Sequence, residues 1–402
     1  MERHVDNPNV LLFDAIVRHQ INLLRYSSSL KKKIDKLLNE TESDILEKIV
    51  SRLLTSKGLS SPSEVVRLTT LSKIIKSIRN KAWDKVNKEL EEELTDLAKL
   101  EGDYINQFFI ISSPVVLDTI LPSTKTLKAI VSSRPFEGKV LSQWVKRLQE
   151  EDLRRIDSAI RVGMVSGESS AAIARRVVGD SKLNGINGVT EVTRRQADAI
   201  IRTAINFISN EARAEFINEN SDIIEKELFV ATLDSRTSAV CRGYDGKTYD
   251  VGKGPRPPLH FRCRSLRIPI LSGSIISLRP AKSSTEKILL REYAAKNQID
   301  TPSTRDGLPK GMKGSYDIFA RKRIRELTSR VPGATSYQNW LRTQTNSFQD
   351  EVLGKTKAIL YRKGGLELDK FINRQGDELS LSALAKKYQK EFTLAGLDPN
   401  RY

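Results

Sequence analysis

Cys241 and Cys263 are the only cysteines of this 402-residue chain, and the stretch they bound, CRGYDGKTYDVGKGPRPPLHFRC, also carries His260, one of three histidines. Two thiolates and an imidazole are the donor set zinc prefers, and the two residues between His260 and Cys263 let both reach one ion from a tight turn. A closed structural site needs four ligands, and three are present. Ser265 stands where a fourth thiolate would complete the set, and serine is a poor substitute; Asp245 or water could fill the position. Two other readings of the same residues stay open: a pair of reduced thiols beside a surface histidine, and a Cys241–Cys263 disulfide. Catalysis would need an open zinc position and a general base. There is no glutamate between Glu227 and Glu286, and Asp234, Asp245 and Asp250 remain, two of them in turn contexts where Asp caps backbone amides. The chain has no G-x-S-x-G elbow, H-E-x-x-H helix or phosphate-binding Gly loop. No catalytic residue is assigned, and an enzyme is not expected.

The loop needs elements to hold it. On one side Glu227–Leu233 has strand propensity, and on the other Leu266–Ile270 alternates apolar residues with others; together they predict a small antiparallel sheet. Pro269 has no amide proton and marks an edge strand. Before them, Thr193-Arg194-Arg195-Gln196 reads as a capping box opening a long helix with Ala197, Ile200, Ile201, Ala204, Ile208 and Ala212 on one face. Arg202, Asn206, Asn210 and Arg213 adjoin that face and read as solvated. Further upstream the chain is helical almost throughout. Ser61-Pro62-Ser63-Glu64 opens a helix, and Val86, Leu90, Leu94 and Leu97 form a narrow stripe that needs a partner surface. Breaks are expected at Ser112–Pro114, at 132–138 and at Ser272-Gly273-Ser274. After the linker, Trp340, Leu341, Phe348, Val352 and Leu353 sit at helical spacing and read as core, with Gly354 interrupting, and the chain closes on a capped helix.

Charge bounds the partners. Sixty-seven Lys and Arg against fifty Asp and Glu give a formal charge of +17, which favours a polyanion such as nucleic acid. Residues 241–270 alone hold seven Lys and Arg against two Asp. Arg262, Arg264 and Arg267 are therefore the expected contacts to DNA or a partner, through phosphates and without base readout. No apolar run reaches membrane-spanning length, and the first residues lack the pattern of a secretory signal. Synthesis inside a cell, without secretion, is expected.

Taken in order, Arg202-Thr203 followed by N-F-I-S-N-E-A-R, then Leu233-Asp234-Ser235-Arg236-Thr237-Ser238 running into Cys241, Asp245-Gly246-Lys247, and Pro257-Pro258-Leu259-His260-Phe261-Arg262-Cys263-Arg264 resemble the Mu F-like minor head proteins of tailed bacteriophages. The resemblance spans about residues 100–270 and is strongest over 202–264. Arg202, Asp234, Arg236 and Thr237 are its motif residues. It implies a virion component that associates with the portal and the major capsid shell, sits in the head interior with the packaged double-stranded DNA, and has no established catalysis. The family's loop commonly ends H-x-x-C-R-C, so Cys241, His260 and Cys263 match and Ser265 departs. The expected fold is α+β and predominantly helical: a helical region over 1–130 making portal or shell contact, a Mu F-like module with the Cys/His loop over 131–271, a linker with a short helix over 272–315, and a helical region over 316–402. The alternatives are a metal-dependent hydrolase or nuclease using the same loop, and a DNA-binding protein independent of virions.

Overall fold

The computed structural model describes residues 8–54, 61–112, 118–180, 187–224, 226–270 and 278–402. Seven helices come first: α1 (Pro8–Asn39), α2 (Glu42–Leu53), α3 (Pro62–Ser112), α4 (Thr124–Ser133), α5 (Leu141–Val165), α6 (Ser170–Val178) and α7 (Val189–Glu219). Helix α3 opens at the predicted box, with the Glu64 amide donating to the Ser61 hydroxyl at 3.4 Å. Helix α7 opens one turn earlier than the Thr193 box predicts, because Gly188 provides the extended N-cap. Thr193 is instead buried, and its hydroxyl donates to Asp152 at 2.9 Å.

The Leu90–Leu94–Leu97 stripe finds its partner within the chain. It is buried with Leu30, Ile34 and Leu38 of α1, Leu127 and Ile130 of α4, Trp144 and Leu148 of α5, and Ala197, Ile201, Ala204 and Ile208 of α7. One narrow stripe becomes a core because α1 and α7 flank it and remove its aliphatic surface from water. A second cluster joins Leu12, Phe13 and Ile16 to Phe109, Phe216, Leu228, Leu266 and Ile268. Both cores cross residue 130: they pack α1 and α3 against the segment that carries the Cys/His loop.

After α7 come β1 (Lys226–Val230), β2 (Leu233–Asp234), α8 (Ala239–Tyr244), β3 (Thr248–Asp250) and β4 (Leu266–Ile270). Strand β1 pairs antiparallel with β3 and with β4, in the order β3-β1-β4. That makes β4 an edge, as Pro269 predicts. A second sheet is new relative to the sequence reading: β2 runs parallel to β5 (Leu278–Lys282), which pairs antiparallel with β6 (Thr328–Pro332). Between β5 and β6, α9 (Glu286–Asn297) and α10 (Met312–Glu326) pack around Leu290, Tyr293 and Tyr316. The stretch expected as a linker therefore includes a strand and a helix. Ser272-Gly273-Ser274, Ser113 and Pro114 lie outside the described residues.

The last helices are α11 (Tyr337–Arg342), α12 (Asn346–Leu353), α13 (Lys355–Arg362), α14 (Leu381–Lys387) and α15 (Gln389–Leu394). Trp340 and Phe348 are core, their rings edge-on at 5.6 Å, and Gly354 separates α12 from α13 with φ of +77°. The expected closing helix is two short ones, with Ser380 capping the first. The fold is α+β and mostly helical. No helix among the described residues is long and apolar enough to cross a membrane.

Candidate metal centre

Ser238 caps α8 and so fixes the first turn, which carries Cys241; His260 and Cys263 lie in the loop that returns to β4. The structure brings the three predicted ligands together, their donor atoms all within 4.8 Å of one another. Cys241 Sγ lies 3.7 Å from Cys263 Sγ and 3.4 Å from His260 Nε2. Tetrahedral zinc with Zn–S near 2.3 Å and Zn–N near 2.0–2.1 Å sets these edges at about 3.8 and about 3.6 Å. Both cysteines are free and buried. His260 Nδ1 lies 2.9 Å from the Phe261 carbonyl, an acceptor that turns Nε2 toward the sulfurs, the usual support of a metal-ligating imidazole. The residues present thus fit a zinc ion.

Electrostatics agree with that donor set. The hydrogen bond with Cys241 holds the Cys263 thiol well below its ordinary range, helped by His260 and opposed by burial, while the same pair and burial push Cys241 up. Next to this sulfur the His260 imidazole is held above its usual value. A cation binding to these donors would displace their protons. Ser265 is buried and its hydroxyl hydrogen-bonds toward Cys241. A pocket of about 10 Å³ bounded by Ser238, Cys241, His260, Ser265 and their neighbours is about the size of one water, which could take a fourth position. Asp245 is not part of the cluster: its carboxylate accepts from the Ala231 amide at 2.6 Å, the Tyr337 amide at 2.5 Å and both terminal nitrogens of Arg279 at 3.0 Å.

The loop is held from two sides. On α7, the residues expected to face solvent are turned inward. Asn206 Nδ2 donates to the Ser265 carbonyl at 3.1 Å, the Arg267 amide donates to Asn210 Oδ1 at 3.2 Å, and Arg213 donates to the Arg267 carbonyl at 3.4 Å. These side chains pair with the outer edge of β4, which would otherwise be open. Pro269 has the same parity as Arg267, whose amide faces α7, so its missing N–H costs the β1 ladder nothing. Arg262, at φ of +60°, donates its amide to Thr203 Oγ1 at 2.9 Å. From the other side, the carboxy-terminal region reaches the loop through the Tyr337 amide to Asp245 at 2.5 Å, Lys247–Asp369 at 2.9 Å and Arg242 to the Val352 carbonyl at 3.1 Å. Gly243 permits this approach, since a Cβ there would meet Ile372 at 2.8 Å.

Of the expected DNA contacts, only Arg262 is on the surface. Arg267 is 2% exposed, paired with Glu227 at 3.1 Å, and Arg264 makes a two-pronged contact with Asp234 at 2.6 and 2.8 Å. The motif residues have positioning roles: Asp234 also accepts the Arg236 amide at 3.0 Å, Thr237 donates to Asp234 and to the Thr232 carbonyl, and Arg202 ties α7 to Ser27 and Ser28 of α1. Two residues escaped the sequence reading. Arg279 gave no local sign of its role. Glu137, in the turn between α4 and α5, feels the charges of His260 and Cys263, and burial raises its carboxyl; it is more than a hundred residues from the loop.

Residues 154–268 match the family model described as phage Mu protein F like protein. That span runs from within α5 to the middle of β4 and contains all three candidate ligands. No curated protein and no solved structure matches the chain.

Proposed function

We propose, from the match of residues 154–268 to the phage Mu protein F like family, that the protein is a head-morphogenesis protein and a minor structural component of the virion, held at the portal vertex inside the head and assembled there in the host cytoplasm. The family match is the observation that carries this reading. Its partners are then the portal protein, the major capsid shell and the packaged double-stranded DNA, for which the formal charge of +17 is the support. In this reading the Cys241/His260/Cys263 cluster is a structural zinc clip that pins α8 to the strand-return loop. Bound zinc would supply a cross-link between α8 and the return loop beside the apolar cluster that Cys241 and Cys263 form with Phe229 and Ala231; the two sulfurs and the imidazole would hold it, and the Phe261 carbonyl would orient the ring.

The experiment is to separate filled heads, portal-less heads and free lysate, and to probe each for the chain. Presence in complete heads and loss from portal-less ones is expected. A chain found only in the soluble lysate would defeat the virion role.

A metal-dependent hydrolase remains the second reading, and one observation favours it: three protein ligands leave one position of a four-coordinate ion open, with Glu137 near enough to interact with His260 and Cys263. Metal-dependent turnover abolished by Glu137→Gln would move the assignment to this reading.

A further inference from the structure

Beside the cluster lies a cleft of about 700 Å³ between α1, α7 and the Cys/His loop. The charged residues lining it are Arg202, Arg236, Arg262, Arg264 and a single acid, Asp198. Two carboxylates organise the four guanidinium groups. Asp198 bridges Arg202 at 2.8 Å and Arg262 at 3.0 Å, and Asp234 bridges Arg264 at 2.6 Å and Arg236 at 3.7 Å. Each bridging carboxylate holds two cations together and cancels one of them. The cleft is left with two surplus positive charges.

We propose that this cleft binds a terminal phosphate of a nucleotide or of a single nucleic-acid strand. A phosphomonoester carries close to two negative charges at neutral pH, which matches the surplus, whereas an internal phosphodiester carries one. Guanidinium forks suit its oxygens. The remaining wall suits a nucleoside. Gln20 and Asn206 line the cleft, are buried, and each has a side-chain carbonyl oxygen with no hydrogen-bond partner in the protein, so each is short of a donor such as a base or sugar offers. Phe261, 41% exposed on the same wall, presents a ring on which a base can stack. The volume is that of a small-molecule site, too small to admit a duplex. The inference needs neither the virion role nor the metal, and it stands or falls separately from them.

The test uses the full chain and fluorescence anisotropy with a short oligothymidylate, labelled at its 3′ end and carrying either a 5′-phosphate or a 5′-hydroxyl. Expected are tighter binding of the phosphorylated strand and a loss of about tenfold in each of Arg236→Ala and Arg262→Ala. Both side chains are more than half exposed, so neither change threatens the fold. Arg161→Ala removes an equally exposed arginine on α5 and should bind like the parent. Competition by thymidine monophosphate assigns the cleft to a nucleotide; competition by the phosphorylated strand alone assigns it to a strand end. Equal affinity for the 5′-hydroxyl strand, equal competition by blunt duplex, or arginine variants no weaker than Arg161→Ala would overturn the proposal.

Discussion

Replacing Asp245 with asparagine tests whether the carboxy-terminal helices are fastened to the Cys/His loop by one buried carboxylate. The carboxylate accepts four hydrogen bonds, from the Ala231 and Tyr337 amides and from two nitrogens of Arg279. Asparagine keeps one oxygen and turns an NH2 group toward donors. Arg279, 3% exposed, then loses its counter-charge. Breaking a buried pair by removing one partner costs about 3–5 kcal/mol. The loss should appear in urea unfolding followed by the fluorescence of Trp340, with Trp83 and Trp144 replaced by Phe so that the signal reports the carboxy-terminal core alone. Arg279→Met should be similarly damaging, since Asp245 then keeps only two backbone donors. The double variant should be less destabilised than the sum of the two by up to about 3 kcal/mol, because each single change strands the other charge. An Asp245→Asn loss below about 1 kcal/mol, or strict additivity in the double variant, would refute the fastening.

Protein prepared without chelator should contain one zinc per chain, and Cys263→Ser should remove it while Ser265→Ala lowers occupancy far less; near-zero metal with both thiols freely reactive would contradict the site. Asn210→Ala strips the acceptor from the Arg267 amide, and a loss of about 1–3 kcal/mol is expected in denaturant unfolding. Burial raises the Asp234 carboxyl, but the Arg264 pair outweighs it and holds the group below the usual carboxylate range. Its contribution to stability is therefore complete above about pH 3.9 and is lost as pH falls through the lower folded value; Asp234→Asn should flatten that part of the acid unfolding curve. Deleting residues 1–110 should yield insoluble protein, because the deletion exposes the faces of α5 and α7 that α1 and α3 cover; a soluble, cooperatively folding remainder would show that the shared core is dispensable.

Local signals carried much of the architecture. The Ser61–Glu64 box, the strand signals on either side of the loop, and Gly354 between two helices each state a backbone requirement within a few residues, and the structure places a helix start, the strands β1 and β4, and a helix break there. The cluster was legible for the same reason: His260-x-x-Cys263 places two donors in one turn, and Cys241 is the only other thiol in the chain. What was not legible depends on long-range contact. Leu90, Leu94 and Leu97 look unpartnered when read along α3, since their partners lie on α1 and α7. Asp245 was read as a spare ligand because the arginine that claims it is Arg279, on β5. The inward turn of Arg264 and Arg267 likewise depends on Asp234 and Glu227, each on another element of the sheets.

The polar stripe of α7 shows how a solvated-looking face becomes structural. Asn206, Asn210 and Arg213 recur at the spacing of one helix face, and charge and polarity alone assign that face to water. Four residues of helix rise about 6 Å, and two residues of strand rise about 6.7 Å. A helix laid alongside an edge strand can therefore bring successive turns level with successive outward-facing peptide groups. That match is realised here: Asn206 meets the Ser265 carbonyl, Asn210 the Arg267 amide and Arg213 the Arg267 carbonyl. The residues that complete the edge of β4 also fix the strand that follows Cys263, and through it the place of its sulfur. On this argument the R-x-x-x-N-x-x-x-N-x-x-R spacing from Arg202 to Arg213 belongs to the scaffold that positions Cys241, His260 and Cys263.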